Sequence, residues 1–155
     1  MSTDPRGFTL LIAILMSTVA VTLGVSLIDI AYKQVILAST AKQSQIGFYA
    51  ADSALECALY WDQKFNAFKY TGPLSSGSIK CGGNAILSYT SAQFTSGGNH
   101  RRTIFNIQCG TSGNTNGKVT VYKYQTGATS IYANGYSNCI AADQRRVERG
   151  LKVFY

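Results

Sequence analysis

Residues 8–28 read FTLLIAILMSTVAVTLGVSLI, twenty-one positions without one charged side chain. Wound as an α-helix at 1.5 Å per residue, the run spans about 31 Å, the thickness of a bilayer's hydrocarbon core. Ser17, Thr18, Thr22 and Ser26 fit that setting because a hydroxyl can bond back to a helix carbonyl. The apolar region of a secretory signal peptide is shorter and ends in a small-residue cleavage site. Here the run is long and passes into further helical pattern, so a retained membrane helix is expected. Ahead of it, Met1–Gly7 is a short polar leader in which Asp4 offsets Arg6, so charge alone sets little orientation.

The helical pattern continues outward from the run. Asp29 and Lys33 stand four apart, the spacing of a helical ion pair. No proline interrupts Tyr32–Trp61. Ala50, Ala54, Cys57, Ala58 and Trp61 fall on one helical face, mostly small, which permits close approach of a sheet or helix. Lys42, Gln43, Gln45, Asp52 and Glu56 fall largely elsewhere. One helix to about Asp62 is expected, with Gly24 and Gly47 as points where it can bend.

Beyond Asp62 the composition changes. TGPLSSGSIKCGGN, up to Asn84, reads as loop. Alternating segments follow: weakly at Ile86–Tyr89, then at Thr103–Cys109 with Phe105, Ile107 and Cys109 on one side. Lys118–Tyr124 has Val119 and Val121 on one side, and Ser130–Ala133 is a further strand. Arg146–Tyr155 places Val147, Leu151, Val153 and Tyr155 on one face. Asn116-Gly117 is expected in a hairpin turn. A long helix followed by short strands implies an α+β fold with an antiparallel sheet. The expected organisation is a leader at 1–7, a membrane helix at 8–28, its amphipathic continuation at 29–62 and a β domain at 63–155.

The chain is 46% hydrophobic and only 14% charged, where soluble domains run near a quarter charged. Its four cysteines, Cys57, Cys81, Cys109 and Cys139, are widely spaced without a C-x-x-C pair, which argues against zinc and for two disulfides in an oxidising compartment. Three connectivities are open. Cys57–Cys81 with Cys109–Cys139 is favoured, the first tying a helix end to the next segment and the second two strands of one sheet. The formal charge is +7. Arg101, Arg102, Arg145, Arg146 and Arg149 are candidates for an anion-binding footprint, toward DNA or a surface ligand. The bland alternative is a set of solvated faces and protected sheet edges.

Arg6-Gly7-Phe8-Thr9-Leu10-Leu11, opening the apolar helix, resembles the processing motif of class III signal sequences in type IV pilins and in the pseudopilins of type II secretion. The resemblance implies the pilin fold, cleavage between Gly7 and Phe8 by a prepilin peptidase, and N-methylation of Phe8. It also implies a helix whose residues, Phe8, Leu11, Ile12, Leu15, Val19 and Leu23 among them, lie first in the membrane and then against other pilin subunits in an extracellular filament. In major pilins the fifth mature residue is usually Glu, whereas here it is Ile12. That departure is similar to minor pilins that prime or tip a filament. Phe48-Tyr49-Ala50-Ala51-Asp52-Ser53-Ala54-Leu55-Glu56 also resembles the AA-x-x-A-L segment of PilX-type minor pilins. The resemblance covers about the first sixty residues.

No G-x-S-x-G, phosphate-binding loop or H-E-x-x-H is present, so neither an enzyme nor a metal or cofactor is expected. His100, in Gly-Asn-His-Arg-Arg, reads as a solvated loop residue. Tyr122, Tyr124, Tyr132 and Tyr136 either pack a small core or cluster on an exposed sheet face suited to binding.

Overall fold

The computed structural model describes residues 6–72, 79–81, 84–85, 89–94, 99–109 and 115–155. Helix α1 runs Arg6–Phe65, starting ahead of the expected Phe8 and ending past Asp62. In its first part Thr18, Thr22 and Ser26 close hydroxyl bonds onto the carbonyls of Leu15, Val19 and Thr22, at 2.9, 2.9 and 2.8 Å. These residues therefore carry no unsatisfied polar group into an apolar setting. Asp29 and Lys33, spaced for a pair, make no ion pair. The helix stops where Asn66 takes a left-handed φ of 47°, a conformation asparagine tolerates. The last turn closes with Asn66 N–H on the Asp62 carbonyl (2.9 Å) and Ala67 N–H on that of Trp61 (3.1 Å).

The chain divides into two compact units, Met1–Thr40 and Ala41–Tyr155. The second holds an α+β architecture: the later part of α1 packed on an antiparallel five-stranded sheet. Its strands are β3 (Tyr89–Phe94), β4 (His100–Gln108), β5 (Thr115–Tyr124), β6 (Thr129–Tyr136) and β7 (Glu148–Phe154), in simple sequential order. A small separate hairpin pairs β1 (Lys80–Cys81) with β2 (Asn84–Ala85), inside the stretch expected to be loop. The Ile86–Tyr89 strand is partly met: Tyr89 opens β3, and 86–88 lie outside the described residues. Asn116-Gly117 is not a turn. Both residues sit inside β5, where Gly117 pairs with Ile107 and Gly135.

The core lies between helix and sheet. Ala54, Ala58, Val119, Val121, Ile131 and Ala133 are fully buried, with Phe105 and Phe68 beside them. The Phe68 and Phe105 rings stack 5.7 Å apart. Each large apolar side chain so covered contributes about 1.5–3 kcal/mol. The covered helix face is Gly47, Ala51, Ala54, Leu55, Ala58 and Asp62, rotated slightly from the expected one, since Ala50, Cys57 and Trp61 are only half-buried. Gly47 lies within the continuous helix, beneath the Val147 carbonyl and the Arg149 stem. Gly135 on β6 makes the closest approach. A Cβ there would come within 2.1 Å of the Ala51 amide nitrogen and 2.3 Å of the Gly47 carbonyl oxygen, so only glycine lets the helix backbone rest on the strand.

Two disulfides, Cys57–Cys81 and Cys109–Cys139, are the favoured pairing. The first ties α1 to β1. The second joins segments just past the ends of β4 and β6, the strands flanking β5, instead of residues within the strands.

Candidate ligand-binding face of the sheet

Strand alternation gives the sheet two chemically distinct faces. Thr103, Phe105, Val119, Val121, Ile131, Ala133, Leu151 and Val153 face the helix. The register then places Arg102, Tyr122, Ser130 and Phe154 in one row on the other face, and Ile104, Thr120, Tyr132 and Lys152 in the next. His100 and Tyr124 continue the face toward one end. These side chains lie opposite the core. The tyrosines therefore do not fill the space between helix and sheet.

The rings on this outer face touch one another. Tyr122 and Tyr132 meet edge to face at 5.6 Å, a favoured aromatic geometry. His100 packs 5.4 Å from Tyr122 and 5.7 Å from Tyr124. It is a half-buried residue of β4, not the solvated loop residue its sequence neighbours suggest. Lys152 Nζ stands 4.9 Å from the Tyr132 ring centre, a cation–π contact. The hydrogen bond from Lys152, with one from Ser130, holds the Tyr132 phenol below its ordinary pKa, and the same contact raises Lys152. Tyr132 and Phe154 remain 39% and 66% exposed. Tyr136, at the far end of the face, lies under the Arg146 guanidinium at 3.7 Å. Burial and the nearby Glu148 raise its pKa against the pull of Arg146.

The five arginines do not form one footprint. Arg101 points to the helix side, donating to Ser91 Oγ (2.8 Å) and to the carbonyls of Lys69 (3.2 Å) and Gly72 (2.6 Å). It clamps the segment that follows α1. Arg102, next in sequence, faces outward. Arg149 reaches the helix, donating to Ser44 Oγ at 2.8 Å. Arg146 donates to the Thr115 carbonyl at 2.8 Å. Arg145 is exposed in the segment before β7. The row of Arg101 pairs with Lys123, that of Arg149 with Gly135. The register between those rows amounts to about six residues, or roughly 20 Å along the strands. Three of the five, Arg101, Arg146 and Arg149, are thus structural donors, and the cations nearest the exposed rings include Lys152, which was not among the candidates.

A second polar group escaped the sequence reading. Asp62, only 4% exposed, accepts from Lys123 Nζ at 2.8 Å and from the Tyr155 hydroxyl at 2.7 Å. Lys123 also donates to Thr129 Oγ1 at 2.7 Å. Burial, with the bond to Asp62 and its charge, pushes the Tyr155 phenol well above its usual value. Asp62 in the last helical turn, Lys123 on β5 and Tyr155 beyond β7 are far apart in sequence, so no local spacing announces them. This cluster joins helix to sheet and opens to no exposed surface on the ring-bearing side.

In the first unit, Phe8, Leu11, Ile12, Leu15, Val19 and Leu23 are between 41% and 70% exposed. Gly7 and Phe8 lie in the first turn of α1, and residues 1–5 of the expected leader lie outside the described residues. The helix is long and apolar enough to cross a membrane. Comparison of the chain with protein-family models, with curated proteins and with solved structures returns no match.

Proposed function

We propose that the chain is a minor pilin or pseudopilin, a structural subunit that primes or tips a type IV pilus-like filament. The observation that carries this reading is the Arg6-Gly7-Phe8-Thr9-Leu10-Leu11 motif at the start of a helix whose large apolar side chains stand exposed along its first part, Phe8 at 70%, Leu15 at 57% and Leu23 at 61%. In a bilayer such a helix satisfies its own backbone and turns its side chains to lipid. In a filament the same side chains pack on equivalent helices, with no new apolar surface required. On this reading the N-terminus begins in the cytoplasm and residues 41–155 lie outside, where an oxidising setting keeps both disulfides closed. Ile12 in place of Glu supports a specialised position: a carboxylate in the bilayer is costly and is kept for a purpose, here dispensed with.

Intact-mass analysis of the protein from its host, with and without reduction, tests the proposal. The expected product begins at methylated Phe8 and gains four hydrogen atoms when a thiol reductant opens both disulfides. A chain that still begins at Met1 overturns it in favour of a plain membrane anchor. Ile12→Glu tests the position within the filament. Wild type is expected at filament ends and the variant along the shaft, whereas an even distribution of both rejects the tip assignment.

A further inference from the structure

We infer that the outer face of the sheet binds single-stranded nucleic acid, with bases stacking on Tyr122, Tyr132 and Phe154 and phosphates meeting Lys118 and Lys152. The inference stands apart from the filament reading, which concerns α1.

Three observations carry it. The first is that the rings are surplus to the core. Val119, Val121, Ile131 and Phe105 complete the buried layer on the opposite face, yet this face displays large rings in adjacent register rows, with Phe154 two-thirds exposed. An aromatic ring left in water is a stacking platform for any base, because every base has a π-face.

The second is charge. Beyond Phe65 the sequence has ten Lys and Arg against two acids, Asp143 and Glu148. Neither acid lies among the central rings. Asp143 is held by Asn138 in the segment between β6 and β7, and Glu148 by Asn134 at the far end of the face. Lys118 is exposed on the same face, and Lys152 sits over Tyr132 on a flexible stem. A base arriving on Tyr132 would displace the ammonium toward the adjoining phosphate, keeping its charge paired. Interleaved cations and rings distinguish this face from a protein-docking patch, whose centre is depleted of charge.

The third is shape. Among the described residues this face is an open antiparallel sheet with no helix on it to enter a duplex groove, whereas unpaired bases lie down on sheet aromatics, as in sheet-based RNA-binding modules.

The test is fluorescence anisotropy of a labelled oligothymidine, about fifteen nucleotides long, with the full chain in detergent micelles. Binding is expected to weaken steeply with salt. Tyr132→Ala and Phe154→Ala should each weaken it about 10-fold, the scale of one lost stacking contact, while Tyr132→Phe stays near wild type. Lys152→Ala should weaken binding and flatten the salt slope by about 0.7. Arg145→Ala, off the face, should change affinity less than about twofold, since exposed charges are screened beyond a Debye length of about 10 Å. Unchanged thermal midpoints for Phe154→Ala and Tyr132→Phe keep the comparison interpretable if Tyr132→Ala is destabilised. No binding at low salt overturns the inference. So do equal affinity for a duplex of the same length, and full affinity after both ring truncations, which would leave a non-specific cationic surface only.

Discussion

Residues 8–40 and 41–65 belong to one helix, yet they meet opposite fates. In the first stretch large side chains are exposed: Leu15 at 57%, Val19 at 55%, Leu23 at 61%. In the second, the fully buried residues are small, Ala51, Ala54 and Ala58 at 0%, with Leu55 the one large apolar side chain among the buried positions. Size follows partner. A helix meeting a sheet backbone at contact distance must present glycine and alanine, whereas a stretch that rests on no sheet is free to carry bulk and methyl surface. The closest contacts of α1 with the sheet are therefore made by its smallest residues, with Leu55 and Trp61 packing beside them.

The sharpest way to break that comparison is at Gly135. Gly135→Val should lift α1 off β6 and cost more than about 3 kcal/mol, above the usual overpacking range because backbone, not side chain, must move. Gly24→Ala is the mirror case. Nothing lies within 4 Å of a Cβ at Gly24, so the change should stabilise the helix by about 0.5–1 kcal/mol. Thermal unfolding of both variants in detergent reads the contrast, and equal effects would refute it.

Next in size is the buried charge beneath the helix end. Asp62→Ala strands the Lys123 ammonium, 18% exposed in the ion pair, and should cost about 2–4 kcal/mol, somewhat below the full cost of breaking a wholly buried pair. Asp62→Leu with Lys123→Met should recover much of that loss. Opening Cys57–Cys81 by double serine substitution should cost about 2–4 kcal/mol and loosen the end of α1. Measured by amide exchange, protection should fall near residues 57–65 and hold at 15–25.

The smallest effect is a pH dependence. Tyr155 titrates above its ordinary value of 10.0 in the folded chain. Above pH 10 the unfolded chain loses this proton while the folded chain keeps it, so the native state binds more protons and stability falls as pH rises. The contribution is fully present below pH 10 and is lost progressively above it. Tyr155→Phe should cost about 1 kcal/mol at neutral pH, one hydrogen bond. It should also show a shallower decline than wild type between pH 10 and 11.5. Parallel curves would mean the phenol does not titrate with folding.

Much of this was legible locally. The uncharged run, the absence of proline up to Trp61 and the alternation at 119–123 are periodic signals, and periodicity survives without tertiary context. The helix face was legible only to within a rotation, because Ala50 and Ala51 are equally small and only the sheet's position chooses between them. Asn116-Gly117 misled for a related reason: the same dipeptide that closes a hairpin also suits a strand position where Ala54 of the helix comes close. The arginine candidates came from clustering in sequence, but adjacent strand residues face opposite ways. Arg101 and Arg102 were therefore bound to part.

By itself the sequence determined the apolar helix, the α+β class and the cysteine set, since each depends on composition or short-range period. Tertiary structure alone decided which glycine bears the helix, which arginines are structural donors, and that Tyr122, Tyr132, Phe154 and Lys152 share one face. Those facts depend on strand register and on the approach of segments dozens of residues apart. Such approach is set by the sum of many weak contacts and has no local trace in the chain.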